Sequence, residues 1–376
     1  MKIAVLGHRT FPISEPFAGG LERFIYTLVK GLQRKGCDVT LFAHPDSDPS
    51  LNVAAPDFID TSFCTTSDEK SHESFLSIMD YLDYGDFDIV HNNSLNYFPI
   101  VLSDTINTPL VTTLHAPPFP LLYSAVKHRK RRGNYISISK FNAKSWGLDN
   151  GLSKVIYNGV DTDIFSFTDN KSQEFAVWTG RIIPCKGTHL AIEAAKKANI
   201  NLVIAGPICD SEYFEKQVKP HLNEGIQYAG HLGKNELISL IQNATVSLCT
   251  PVWAEPFGLV VIESLSCGTP VVAFNRGAIA EIIDEDNGIL VAPDDTDAMA
   301  QAIKQAKYIS RYACRERVVK HFSIDAMLSN YLQVFERIAN TRMSRQKSCI
   351  SATTSTLTAK GTYKGRRKLQ NTLNRT

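Results

Sequence analysis

Short apolar runs return along most of the chain, and stretches with apolar residues at helical spacing lie between them, an alternation that admits few folds. In the first half the runs are 2–6, 37–43, 87–91, 109–115, 134–139 and 154–157. Between the first two, Phe24, Ile25, Leu28, Val29 and Leu32 fall at helical spacing, and Gly36 suits the helix's C-terminal stop. This βαβ opening implies a parallel sheet with right-handed crossovers. A second set follows, with strands expected at 175–180, 201–206, 226–230, 245–250, 269–274 and 288–292. Its helices are expected at about 187–198, 211–219, 233–243, 257–267, 277–284 and 295–307.

The fold class expected is therefore α/β: two Rossmann-like, doubly wound units facing one another across a cleft between the carboxyl ends of their strands. The polar, unpatterned stretch FSFTDNKSQ marks the junction near 160–173. The first unit reads as 1–165 and the second as 166–320. Residues 321–340 read as a terminal helix, with Ser323 as its cap, that packs back toward the first unit, and 341–376 as a disordered basic tail.

Composition and charge narrow the setting. The 376 residues suit two or three domains. No window holds about 18 uncharged apolar residues, so no membrane-spanning helix is expected. MKIAVLG runs straight into an apolar strand and does not read as a signal peptide. The eight cysteines show no CxxC spacing, which disfavours a zinc ribbon or disulfide scaffold and points to a reducing cytoplasm. Net charge is +2, but residues 341–376 hold nine Lys/Arg and no acid, leaving 31 basic against 38 acidic groups elsewhere. The tail reads either as solubilising or as touching anionic lipid or nucleic acid. Residues 127–132 are six adjacent basic groups, which cannot share one helix face and so read as a solvated surface or loop. They are either an exposed connection or a dock for acidic headgroups at the inner face of a membrane. No interleaved aromatics accompany them, so no specific nucleic-acid partner is expected.

Candidate ligand-binding residues gather at strand ends. Gly19-Gly20 opens the first helix without a GxGxxG fingerprint, yet glycines there let an anion approach backbone N–H groups. Arg181 follows the strand FAVWTG and Lys186 comes five residues later. Two cations at the mouth of the cleft suit a diphosphate, Arg as a fork and Lys as a point charge. Glu255 lies in a loop and Glu263 inside the largely apolar helix that follows. An internal carboxylate needs a partner, and sugar hydroxyls are suitable donors. The N–H groups at Gly258 and Leu259 start that helix, where an anion is favoured. His115 ends the strand PLVTTLH just before two prolines, so its imidazole should face the same cleft. Asn158-Gly159-Val160-Asp161 reads as a turn near the junction.

Taken in order, the Gly-Gly at a first helix, the strand-end His, NGVD, the Arg181/Lys186 pair, and EPFGLVVIESLSCGTPVV resemble retaining glycosyltransferases of family 4. Those enzymes have the two-Rossmann GT-B fold, and the resemblance covers about residues 1–340. LHAPPFPLLYSAV and GPICDSEYFEKQVKP are similar to a UDP-glucose-using branch often labelled tetrahydrobiopterin-glucosyltransferase-like.

The resemblance implies front-face transfer of a hexose from a UDP-sugar to a carbohydrate, lipid-linked or small-molecule acceptor, in glycan or glycolipid assembly, with no cofactor and no metal. By the same resemblance Arg181 and Lys186 neutralise the donor diphosphate. Glu263 holds ribose hydroxyls, and Glu255 holds hydroxyls of the transferred sugar. Backbone amides at Phe257, Gly258 and Leu259 orient sugar and phosphate. Gly19 and Gly20 let the first helix approach the phosphates, His115 contacts the sugar or reacting centre, and the base meets backbone near His231-Leu232. The Asp46/Asp48, Asp86/Asp88 and Asp161/Asp163 pairs read as turn and strand-start acids, not as a manganese site. Pro184-Cys185 departs from the polar or acidic stretch more usual before the lysine. Two rival readings stand beside this one: another GT-B chemistry, such as an epimerase or a phosphorylase, and a non-catalytic nucleotide-sugar or RNA binder.

Overall fold

A computed structural model describes residues 1–54, 67–169 and 173–341. The first sheet is built from β1 (Lys2–Leu6), β2 (Asp38–Phe42), β3 (Val53–Ala54), β4 (Ile89–Asn92), β5 (Leu110–Leu114), β6 (Asn134–Ser137) and β7 (Ser153–Val155). The second contains β8 (Phe175–Thr179), β9 (Asn201–Ala205), β10 (Ile226–Tyr228), β11 (Val246–Cys249), β12 (Val271–Phe274) and β13 (Gly288–Val291). Every pairing is parallel, in the orders β3-β2-β1-β4-β5-β6-β7 and β10-β9-β8-β11-β12-β13. Chain direction along each sheet reverses once, between β1 and β4 and between β8 and β11, and such switch points are where open α/β sheets bind ligands.

The apolar runs become strands because a parallel sheet is covered on both faces. Ile3, Ala4, Val5 and Leu6 are wholly buried. Phe24, Ile25, Leu28, Val29 and Leu32 of the helix Gly20–Arg34 bury one stripe, and Gly36 takes the left-handed conformation, φ +80°, just past its end.

Several elements differ from the sequence reading. Ser67–Tyr84 is a helix that buries Phe75, Ile78, Met79 and Leu82, a spacing that fits the helical template. The segment expected as one helix over 211–219 is a short α turn, Ser211–Tyr213, then a π turn, Phe214–Val218, then a 3-10 turn, Lys219–His221. Pro220 has no N–H to continue a regular ladder there. Residues 127–132 are not simply a loop: Lys127, His128 and Arg129 form the last turn of the helix Pro120–Arg129, where cations oppose the dipole. Arg129 folds back onto Asp104 and Ser103.

Met1–Tyr331 form one compact unit, and a second begins at Leu332. Within the first, Val160 pairs with Ser323, Gly159 lies against the backbone of Ser323 and Ile324, and Gly31 leaves room for Leu328. Tyr331 is fully buried, with its ring 5.2 Å from His91 and 6.1 Å from Phe24 and its hydroxyl 3.3 Å from Thr113 Oγ1. Residues 332–341, the described part of the second unit, are helical. Of the expected tail only Thr341 is described; residues 342–376, with Cys349, and also Cys64, lie outside the described residues. Among the described residues no helix is long and apolar enough to cross a membrane.

Tyr331→Ala should lower the free energy of unfolding by about 3–5 kcal/mol through the cavity it leaves. Tyr331→Phe, which loses only a buried hydroxyl contact, should cost about 1 kcal/mol. Urea titrations check both values, and an unchanged Tyr331→Ala midpoint would show that this ring does not seal the first lobe.

Candidate functional site

A cavity of about 330 Å³ opens at the carboxyl ends of the two sheets. Gly19, Gly20, His115, Arg181, Lys186, His231, Leu232, Glu255, Phe257, Gly258, Leu259 and Glu263 all line it, with Asn158 of the NGVD turn, whereas Gly159, Val160 and Asp161 line a neighbouring cavity. A second cavity of about 700 Å³ shares Arg23, His231, Leu232, Leu259 and Glu263 with it.

Glu255 is held from several sides. Lys186 Nζ donates to its Oε2 at 2.7 Å and Trp253 Nε1 to the same oxygen at 2.8 Å. The Lys186 ammonium also lies 4.9 Å from the centre of the Trp253 ring. The Glu255 carbonyl accepts from Ala278 N at 2.8 Å. Gly277, at φ +72°, presses on the Glu255 backbone where a Cβ would collide. Lys186 ends the turn Pro184–Lys186, so the unusual Pro184-Cys185 is the start of that turn, and Val252 N donates to Cys185 O at 2.8 Å.

Glu263 is buried in the helix Leu259–Ser266, and its partner in this structure is a protein cation. Arg23, from the first helix of the other lobe, pairs with it, and the guanidinium lies 5.8 Å from the Phe17 and Phe165 ring centres. Gly20 has Leu259 as its close neighbour across the lobes. Arg181 is exposed and, among the described residues, has no hydrogen-bonded carboxylate, unlike Arg23 and Lys186. It does lie near Glu22, a buried carboxylate whose Oε1 is 2.8 Å from His8 Nε2. Burial pushes Glu22 up, but His8, its own backbone N–H and the charge of Arg181 together hold it below the usual carboxylate range.

His115 Nε2 lies 2.8 Å from Asn93 Oδ1. Because Asn93 Nδ2 donates to the His91 carbonyl, Oδ1 must accept, so Nε2 carries the His115 proton and Nδ1 keeps its lone pair. Burial, with a contribution from the charge of His8, pushes the His115 pKa down to about 3, so the ring is neutral at ordinary pH.

The lobes also meet beside this loop. Ser139 Oγ donates to Pro256 O at 2.7 Å, and Glu281 accepts from Lys140 N, Phe141 N and Tyr157 Oη. Sequence reasoning missed Arg23, Ser139 and Trp253. Each lies in or within a few residues of a recognised feature, but none has a pattern of its own. Asp48 caps the turn at Ser50, Asp86 and Asp88 both engage Lys2, and Asp161 caps its own turn and meets Arg34. Among the described residues no three His, Cys, Asp or Glu side chains gather as metal ligands.

Comparison with known proteins matches both halves. Residues 18–164 match the model for Glycosyltransferase Family 4 and residues 160–317 that for Glycosyl transferases group 1. An uncharacterized glycosyltransferase of Methanocaldococcus jannaschii is 28% identical over 54% of this chain and 60% of its own length. A glycogen synthase of Mycobacterium tuberculosis is 26% identical over 69% of this chain and 70% of its own. In fold, Anabaena HepE, solved in complex with UDP-glucose, superposes with a TM-score of 0.72 at 20% identity, over 90% of this chain and 100% of that one.

The neutral His115 carries a pH dependence. The unfolded chain binds a proton at this side chain near 6.5 and the folded one only near 3, so stability should fall as pH drops through that window. His115→Asn should flatten part of the decline between pH 7 and 5 in urea titrations. An equally steep decline in the variant would remove His115 as a cause.

Proposed function

We propose a reaction for a chain that is a glycosyltransferase by both of its domains: transfer of a hexosyl group, glucose in the branch it resembles, from a UDP-sugar to an acceptor hydroxyl, with retained anomeric configuration and no metal. The observation that carries this is one cavity joining Arg181, Lys186 and the N-terminus of the helix Leu259–Ser266 to Glu255 and Glu263. The likeness to a protein solved with UDP-glucose supports the donor. In the reaction the donor C1–O bond breaks and its electron pair goes to the diphosphate. The acceptor oxygen bonds to C1 on the same face, and its proton passes to the leaving phosphate oxygen.

Arg181, Lys186 and the helix N-terminus stabilise charge developing on the diphosphate, the kind of preorganised electrostatics that dominates many catalysts. Glu255 receives sugar hydroxyls, and Glu263 receives ribose hydroxyls while Arg23 borders the same carboxylate. His115, neutral with a free Nδ1, accepts a hydrogen bond from the sugar.

For the acceptor, we infer a glycan or lipid-linked chain met in the cytoplasm at an anionic membrane face. Supporting this, Phe119, Leu121 and Tyr123 are exposed on the segment that ends in exposed Lys127, His128, Arg131 and Arg132. Apolar and basic groups side by side suit a headgroup boundary.

UDP at about 100 times its dissociation constant should stabilise the protein by about 2.7 kcal/mol, insensitive to EDTA, while GDP and ADP do far less. Glu255→Gln should then cut turnover about a hundredfold or more with UDP affinity within about threefold. No shift with any nucleotide would end the donor reading. Wild type should also sediment with anionic liposomes at low salt and release on neutralising residues 127–132; equal binding to neutral liposomes would end the membrane reading.

A further inference from the structure

Glu255 Oε2 accepts two hydrogen bonds of different character. One comes from Lys186, a flexible, strongly hydrated cation, and the other from the indole of Trp253, a rigid neutral donor. We infer that Trp253 is a positioning residue for the transfer, holding Glu255 in place so that Lys186 is free to turn toward the donor diphosphate. The inference rests on the donor reading proposed above.

Lys186 is asked for twice, by Glu255 and by the diphosphate. If its ammonium moved to phosphate with no second donor present, Glu255, a buried carboxylate, would be left unsatisfied at Oε2 and free to swing. Trp253 Nε1 prevents this, because its bond to Oε2 does not depend on where the lysine points. The backbone of Glu255 is already fixed by Ala278 N and by the tight approach of Gly277. With Oε2 held as well, the remaining freedom lies at Oε1, which no donor among the described residues reaches. The Trp253 ring serves Lys186 too, lying 4.9 Å beneath its ammonium, within cation–π range. The ring is half-buried in the cavity wall, where it faces the site.

The test uses the full chain with UDP-glucose, following UDP release to water or acceptor. Trp253→Phe keeps a ring over Lys186 and removes the N–H. It should lower kcat about ten- to hundredfold, the range for a hydrogen bond to a charged group, with donor KM and UDP affinity within about twofold and an unchanged melting temperature. In a Glu255→Gln background the same substitution should have little further effect, since both act on one oxygen. Donor binding should also change tryptophan emission more in the wild type than in Trp253→Phe, where Trp178, which lines the same cavity, is left to report. Wild-type kcat in Trp253→Phe, or losses that simply multiply with Glu255→Gln, would overturn the inference while leaving the donor reading intact. A wild type that neither binds nor turns over UDP-glucose would overturn both.

Discussion

The close approach of two loops governs the site. The segment after β8 and the segment after β11 run against one another. Gly187, in the left-handed region at φ +68°, lies where any Cβ would collide with the Thr250 carbonyl. Thr250 Oγ1 accepts from Trp178 Nε1 at 3.1 Å and donates to Gly187 O at 2.8 Å, and Val252 N reaches Cys185 O. This seam brings Lys186 to Glu255 although 69 residues separate them. A switch point in a parallel sheet makes such a meeting available, because the segments leaving the adjacent strands β8 and β11 start side by side at the carboxyl edge before they part around a crevice. The glycine makes it close.

Charge compensation is the second organising constraint. The cavity gathers Arg23, Arg181 and Lys186 with Glu255 and Glu263, Glu22 lies buried behind it near Arg181, and two of the cations are already ion-paired. A buried charge without a partner is expensive, so each carboxylate on this surface carries a local counter-group. Glu263 draws its partner from the opposite lobe, as Glu281 does from the N–H groups of Lys140 and Phe141. The same bonds that satisfy these carboxylates therefore tie the lobes together around the cavity. A ligand entering here would exchange partners with groups already satisfied, which favours a polyanion rich in hydroxyls over an apolar molecule.

Most of the architecture was legible in advance. Strands buried on both faces read as continuous apolar runs, and the stripe Phe24, Ile25, Leu28, Val29, Leu32 announces its helix. Some of what escaped is short: β3 has two residues, and Lys140–Ser145 is a helix too brief for periodicity, but the eighteen-residue helix Ser67–Tyr84 escaped although its apolar spacing fits the helical template. The basic run at 127–132 reads as surface or loop because six adjacent charges cannot share one helix face, yet its first half closes a helix whose other side is apolar. The strand-end residues converged on one cavity because topology alone brings strand ends together.

The sequence by itself determined the alternation, hence two parallel sheets, and it marked the strand-end residues, because burial and backbone chemistry are encoded locally in residue type and spacing. Only the tertiary structure decided which groups satisfy one another. Arg23 meets Glu263 across 240 residues, Ser139 meets the Pro256 carbonyl, and Trp253 with Lys186 claims a single oxygen of Glu255. Such partners are selected by distances of a few ångströms between segments remote in the chain, and no local pattern carries that information.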